Sequence, residues 1–120
     1  MTEPKKHLEK LGSVIIEYGR DRSLSQLNEL FFRSRNKKFP SHIDEAIKRT
    51  DPEALRVLMP YIVDTVLAFV LASFEESEHL AITPKEGEGF DIVATSDGLE
   101  GELYGENGWI SSHSRFPPSS

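Results

Sequence analysis

The stretch that decides the fold is Pro60–Phe74, which reads PYIVDTVLAFVLASF. On a helical wheel of about 100° per residue, its apolar side chains fill a wide arc of roughly 200°. This arc consists of Ile62, Val63, Val66, Leu67, Phe69, Val70, Leu71 and Phe74. A narrower stripe consists of Tyr61, Asp64, Thr65, Ala68, Ala72, Glu75 and Glu76. The pattern predicts a central helix over about residues 60–77 with the wide arc in the core and the stripe facing water, another element or a partner.

The apolar run Tyr61–Phe74 is shorter than a membrane span. A helix needs about 20 predominantly apolar residues to cross a bilayer, and this run also contains Asp64. We therefore expect a core helix and no membrane partner. As a core residue, Phe69 would cost about 3–5 kcal/mol of stability on truncation to alanine.

Other helices are predicted on the N-terminal side, four or five in all over about residues 5–78. Leucines and isoleucines recur at helical spacing from Leu8, and Gly19 is a plausible stop. New starts are expected at Ser23, at Ser41 and at Asp51-Pro52, where aspartate suits the N-cap and proline the first helical position. Pro60 favours a break before the central helix.

After about residue 79 the pattern changes to one typical of strands. Residues 80–83 and 90–95 are short strand candidates, the second with alternating polarity. Asn107-Gly108 predicts a type I′ hairpin joining residues 102–104 to 109–111. The prediction is one α+β domain over residues 1–120, with an antiparallel meander over about 79–114 and a frayed tail over about 115–120.

Charge is divided unevenly along the chain, whose net charge is −6. Residues 1–60 hold 12 basic and 9 acidic side chains, whereas residues 61–120 hold 2 and 11. Such an acidic half repels nucleic acid and anionic membranes and favours basic partners. The chain has no cysteine and starts without an apolar signal region, so we expect a cytoplasmic protein.

The leading functional hypothesis is a non-catalytic protein-binding module that presents an acidic face to a basic partner. Charge would steer the encounter, and an aromatic side chain would add buried area. The expected partner-binding residues are Glu75, Glu76, Glu100, Glu102, Tyr104, Glu106 and Trp109. In size, charge and lack of catalytic motif the chain is similar to small acidic antidotes to basic toxins, such as bacterial immunity proteins, although it carries no motif of such a family.

Catalytic and cofactor signatures are weak. The sequence has no Gly-x-Ser-x-Gly elbow, its histidines at 7, 42, 79 and 113 are scattered, and no catalytic residue or cofactor is assigned. The glycines at 98, 101, 105 and 108 are interpreted as turns, because acidic residues lie between them and no P-loop lysine follows.

Two alternative functions stay open. Glu75 and Glu76 with His79 have helical spacing for a metal site, in a small metal-dependent protein or enzyme that could also use Asp64. The basic run Arg33–Lys38 could contact phosphates of a nucleic acid, which the acidic remainder of the chain disfavours. The same run could instead pair with the acidic half of a second copy and give a homodimer.

Overall fold

The computed structural model describes residues 3–33, 40–85 and 89–117. These ranges are 73% helical and contain no β-strand. The α-helices are α1 (Glu3–Val14), α2 (Arg22–Asn28), α3 (Ser41–Arg49), α4 (Pro52–Glu76), α5 (Leu99–Glu102) and α6 (Trp109–His113). The described part of the chain is therefore all-α, and the predicted α+β fold is wrong.

Residues 3–33 form one continuous helical run. The π-helical segment Ile15–Asp21 joins α1 to α2, and a second π-helical segment, Glu29–Arg33, follows α2. Gly19, the predicted stop, lies inside the first π segment. A helical glycine costs only about 1 kcal/mol relative to alanine, which the burial of apolar side chains on either side can offset. Within this π segment the adjacent residues Arg20 and Asp21 are both buried.

Helix α4 begins as the sequence predicts. The Asp51 side chain accepts a hydrogen bond from the Glu53 N–H at 3.3 Å, and Pro52 takes the first helical position. The predicted break at Pro60 is wrong, because α4 runs through it for 25 residues. Proline removes one helical hydrogen bond, that to the Arg56 carbonyl. Arg56 is exposed, so water can replace the lost donor.

Helix α4 is rotated about its axis relative to the predicted orientation. Asp64 and Ala68 of the narrow stripe are buried, together with Leu71 at the edge of the wide arc. The middle of the wide arc faces outward, and the Phe69 side chain is 73% exposed. Leu67 and Phe74, also of the wide arc, pack against the core. The prediction that the whole arc forms the core, with Phe69 as a core residue, is therefore wrong.

A buried ion pair accounts for this orientation. Arg20 and Asp64 are both almost completely buried, and the guanidinium donates to both carboxylate oxygens of Asp64, at 2.6 and 3.2 Å. The same guanidinium donates to the Phe116 and Pro117 carbonyls at 3.0 and 2.9 Å. The desolvation free energy of a buried charge is high unless the charge has an opposite charge and hydrogen bonds as partners. The ion pair therefore favours the rotation of α4 that places Asp64 on the inner side.

The end of the described chain is held by the neighbouring carboxylate. Asp21 accepts hydrogen bonds from the Ser114 hydroxyl at 2.5 Å and from the Arg115 N–H at 2.9 Å. Ser114 in turn accepts one from Arg20 at 2.8 Å. Residues 114–117 are thus bound to the N-terminal helical run and to α4 through one polar network.

The predicted meander is replaced by coil, one 3₁₀ turn and two short helices. One backbone hydrogen bond, from the Ile92 N–H to the Ile82 carbonyl at 2.7 Å, connects the first two strand candidates, and the Asp91 carboxylate accepts another from the Ile82 N–H at 3.2 Å. Asp91 caps the 3₁₀ turn Ile92–Thr95 by accepting from the Val93 N–H at 3.1 Å. Such a local bond between a side chain and the backbone competes with strand pairing. The residues with alternating polarity therefore form a turn and not a strand.

The Asn107-Gly108 hairpin is also absent. Gly108 has φ −69°, and the positive φ belongs to Gly105, at 93°. Gly108 is needed for a different reason: a Cβ there would lie 2.3 Å from the Tyr104 carbonyl oxygen. Residues 102–104 hold the last residue of α5 and the start of the turn after it, and residues 109–111 lie in α6, so neither segment is a strand.

The core is built from three parts of the chain: the N-terminal helical run, α4 and the C-terminal segment, which comprises residues 89–117. Its buried members are Leu8, Ile16, Ala68, Leu71, Ile92, Leu99, Leu103, Trp109 and Ile110. Trp109 lies directly against Gly12, where a Cβ would come within 2.4 Å of the indole. The C-terminal segment thus occupies the inner side of α4, which leaves the outer side uncovered by the described chain.

Candidate protein-binding surface

The C-terminal end of α4 and the short helix α5 together form an acidic groove. The Glu75 carboxylate accepts a hydrogen bond from the Glu100 N–H at 3.2 Å, which ties α5 to α4. Leu99 and Leu103 beneath the groove are completely buried. The short helix α5 is therefore fixed by core packing below and by this hydrogen bond above.

The groove encloses about 570 Å³ between the two elements. Its lining consists of Glu75, Asp97, Gly98, Glu100, Gly101, Glu102 and Tyr104. One of its carboxylates, Glu102, accepts a hydrogen bond from the Ser96 hydroxyl at 3.0 Å. Among these lining residues there are four carboxylates and neither lysine nor arginine, so the groove favours a cationic group.

Tyr104 stands at the rim of this groove with 43% of its surface exposed. Partial burial raises the pKa of its phenol, and the negative charges of Asp64 and Glu100 raise that pKa further. Because both causes disfavour the phenolate, Tyr104 stays neutral around physiological pH. It offers a ring face and a hydroxyl to a bound group.

Four of the predicted partner-binding residues meet at the groove, and three lie elsewhere. Glu75, Glu100, Glu102 and Tyr104 line it. Glu76 and Glu106 are exposed but outside the lining. Trp109 has no exposed surface, so it packs against Gly12 and offers no anchor to a partner. Asp97, which precedes Gly98 at the turn into α5, also lines the groove and was not among the predicted residues.

The alternative metal site required α4 to reach His79. The helix ends at Glu76, and the Ser77 hydroxyl accepts hydrogen bonds from the N–H groups of His79 and Leu80. Glu75 and His79 therefore do not share a helical face. In residues 3–33, 40–85 and 89–117 no group of three or more histidine, aspartate or glutamate side chains could hold a metal ion.

The alternative nucleic-acid site, Arg33–Lys38, falls largely on undescribed positions. Residues 34–39 lie outside the described residues, as does the Arg33 side chain. The phosphate-binding interpretation of this run stays a prediction.

A second surface, missed by the sequence analysis, is the outer face of α4. Five apolar side chains there are between 46% and 73% exposed: Leu58, Ile62, Val66, Phe69 and Val70. By length and composition alone α4 could cross a membrane, and 22% of its most apolar 18-residue window is buried in the structure. The signal in the sequence was Asp64, because a carboxylate within so apolar a run can be buried where it has an ion-pair partner.

Comparisons with known proteins give no match. No family model, no curated protein and no solved structure matches this chain. The features of this chain that bear on function are these two surfaces and its charge.

Proposed function

We propose that this protein is a non-catalytic binding module that holds a basic segment of a partner protein in the acidic groove. The observation that carries the proposal is the hydrogen bond from the Glu100 N–H to Glu75, because it brings carboxylates from two distant parts of the sequence to one groove. This contact joins residues that are 25 positions apart.

The electrostatics of the groove support a lysine- or arginine-rich partner. Four carboxylates surround it, and the net charge of −6 extends the attraction beyond the groove. Fields of this kind raise association rates and discriminate against acidic partners. A guanidinium could also stack on the exposed Tyr104 ring, an interaction that contributes about 0.5–2 kcal/mol.

As a finer proposal, the biological role is that of an antidote, or immunity-type, protein. The support is the small size, the acidic charge and the concentration of that charge at a groove. A protein of this kind would neutralise a basic toxin by occupying its cationic surface.

The test uses a fluorescein-labelled nona-arginine peptide as the probe and fluorescence anisotropy at about 50 mM salt. The groove variant is the double charge reversal Glu100→Lys with Glu102→Lys. Its matched control is Glu45→Lys with Glu53→Lys, which changes the net charge equally at exposed positions of α3 and α4, far along the chain from the groove.

We expect the groove variant to weaken binding at least tenfold and the control less than threefold. Equal weakening by both variants would show that peptide affinity depends only on the net charge of the protein, which would overturn the proposal. Binding that survives intact in the groove variant would also overturn the proposal. For the antidote role, co-expression with a basic toxin that binds the protein must restore growth, and the groove variant must not.

A further inference from the structure

The outer face of α4 presents an apolar surface to solvent along more than half of the helix. Phe69 lies at the middle of this face, with 73% of its surface exposed. Within about 100° of Phe69 around the helix lie the other four apolar side chains, Leu58, Ile62, Val66 and Val70. From Leu58 to Val70 the face is about 18 Å long. Exposed apolar patches of this kind mark contact sites for proteins or membranes.

The hydroxyl groups on this face are hydrogen-bonded to the helix itself. Thr65 and Ser73 lie on either side of Phe69, each about 40° away from it. The Thr65 hydroxyl donates to the Tyr61 carbonyl at 2.8 Å, and the Ser73 hydroxyl donates to the Val70 carbonyl at 2.6 Å. Hydroxyls bonded in this way can enter an apolar medium without losing a hydrogen bond. A protein interface, in contrast, typically contains about one hydrogen bond per 100–200 Å².

The outer face also carries no charge. Among the exposed residues from Val57 to Ser73, a stretch that the structure describes completely, none is charged. The one ionisable carboxylate in this stretch belongs to Asp64, which lies on the inner side and pairs with Arg20. Covering the outer face with hydrocarbon would therefore remove no charged group from water, which is the main cost of entering such a medium.

An apolar groove widens the face on one side. It lies between α4 and the N-terminal helical run and encloses about 330 Å³. Leu27 of the N-terminal run lines it opposite Val63 and Leu67 of α4. Its one charged lining residue, Arg20, is fully buried. The groove thus offers an uncharged space beside the outer face that could receive part of an acyl chain.

We propose that the outer face of α4 docks on the surface of an electrically neutral lipid bilayer, with α4 parallel to the membrane plane and Phe69 at the greatest depth. The most apolar 18-residue window of α4 is only 22% buried, whereas a core helix of a soluble protein has such a window mostly buried. Tyr61 is 60% exposed and lies about 80° from Phe69. It then reaches the headgroup level, where tyrosine is enriched.

The inner side of α4 favours a position on the bilayer surface over one across it. Ala68 and Leu71 pack in the core there, and Asp64 holds its ion pair with Arg20. A spanning position would require these core contacts to separate or the ion pair to enter hydrocarbon. The sequence-based expectation of no membrane partner concerned a helix that crosses the bilayer, whereas an interfacial helix needs only one apolar face.

The charge around α4 favours neutral over anionic lipid. Exposed acidic residues lie beyond both ends of the outer face, at Glu53 and at Glu76. The only basic residue in α4, Arg56, forms an ion pair with Glu53 at 3.7 Å. The net charge of the chain is −6. A negative membrane surface would therefore repel the protein.

The first test is flotation of the protein with phosphatidylcholine vesicles on a sucrose gradient. The disruptive variant is Phe69→Lys, and the matched control is Val57→Lys. Both side chains are 73% exposed, but they lie about 120° apart around the helix. We expect Phe69→Lys to lower the partition coefficient at least about tenfold and Val57→Lys to change it less than about twofold. Replacing about a third of the lipid with phosphatidylglycerol should weaken wild-type binding.

The second test uses single-cysteine variants labelled with the fluorophore NBD, which the absence of cysteine from the chain makes site-specific. NBD attached to Val66→Cys should become brighter and emit at shorter wavelength when phosphatidylcholine vesicles are added. Lipids with nitroxide-labelled acyl chains should quench it. NBD attached to Val57→Cys should show neither change, because residue 57 then faces away from the bilayer.

Several outcomes would overturn the proposal. Wild-type protein that does not float with phosphatidylcholine is one, and equal losses in Phe69→Lys and Val57→Lys are another. Tighter binding to anionic vesicles would contradict docking on neutral lipid. Lipid-free protein with twice the monomer mass of 13.6 kDa, reduced to monomer by Phe69→Lys, would assign the face to a second copy. Resistance of bound protein to alkaline carbonate extraction would indicate a span. None of these outcomes bears on peptide binding at the acidic groove.

Discussion

The Arg20 Nε lies 2.6 Å from the Asp64 Oδ1, and both side chains are buried. The two residues are 44 positions apart, and their pairing fixes the rotation of α4 about its own axis. This pairing places Asp64 on the inner side of α4 and leaves the apolar side chains of the outer face exposed. One ion pair thus decides which face of the longest helix is available to a partner.

Breaking this ion pair should be strongly destabilising. Asp64→Asn leaves the Arg20 charge buried without its counter-charge, and we expect the free energy of unfolding in urea to fall by about 3–5 kcal/mol. The matched control is Glu45→Gln in the exposed Arg49–Glu45 pair, 3.3 Å apart, which should cost less than about 1 kcal/mol. Comparable losses in both variants would contradict the assignment of the pair as buried.

The hydroxyl of Ser114 should contribute to the free energy of unfolding, although the residue lies near the end of the described chain. It donates to Asp21 and accepts from Arg20, so Ser114→Ala leaves two buried charged groups short of a partner. We expect a loss of about 1–3 kcal/mol in urea unfolding. Ser112→Ala, at an exposed position two residues earlier, should change stability by less than about 0.5 kcal/mol. A neutral Ser114→Ala would indicate that residues 114–117 are not bound in solution.

Two glycines at the C-terminal helices should respond oppositely to alanine. At Gly108 an added Cβ would meet the Tyr104 backbone, so Gly108→Ala should lower the melting temperature by several degrees. At Gly101, inside α5, a Cβ meets nothing within 4 Å. Gly101→Ala should be neutral or raise stability by up to about 1 kcal/mol, because alanine restricts the unfolded chain. A tolerated Gly108→Ala would rule out the close approach.

Tyr104 should titrate above the ordinary range for tyrosine. Burial raises its phenol pKa above the usual 10.0, with the charges of Asp64 and Glu100 adding to the effect. In a pH titration followed by phenolate absorbance, the Tyr104→Phe variant should therefore lack the tyrosine that ionises at the highest pH in the wild type. Since the raised pKa belongs to the folded state, its contribution to stability is complete below pH 10 and falls as the pH rises further. Nona-arginine in the groove should lower this pKa, and no change on saturation would count against binding there.

The sequence allowed the start of α4 to be predicted because a cap is a local event. Asp51 and Pro52 act on backbone groups within two residues, so these two residue types are enough to predict a helix start. The inward face of α4 could not be predicted in this way. The inward face depends on an ion pair between Asp64 and Arg20, which are 44 positions apart. The spacing of apolar residues contains no information about such long-range pairs.

The C-terminal helices illustrate a second limit. Helices α5 and α6 span four and five residues, too few for a helical period to appear. Short strands and short helices then look alike, and packing decides between them. The members of the acidic groove were individually recognisable as acidic or aromatic, but their meeting depended on the hydrogen bond between Glu75 and Glu100.

The contact of Trp109 with Gly12 gives the protein a built-in optical reporter. The chain has one tryptophan, and its indole is fully buried against α1, so tryptophan emission, excited selectively at about 295 nm, comes from a single environment. A shift of that emission to longer wavelength would signal separation of the C-terminal segment from the N-terminal helical run. Binding at the acidic groove or at the outer face of α4 would leave the emission unchanged as long as this contact stays intact.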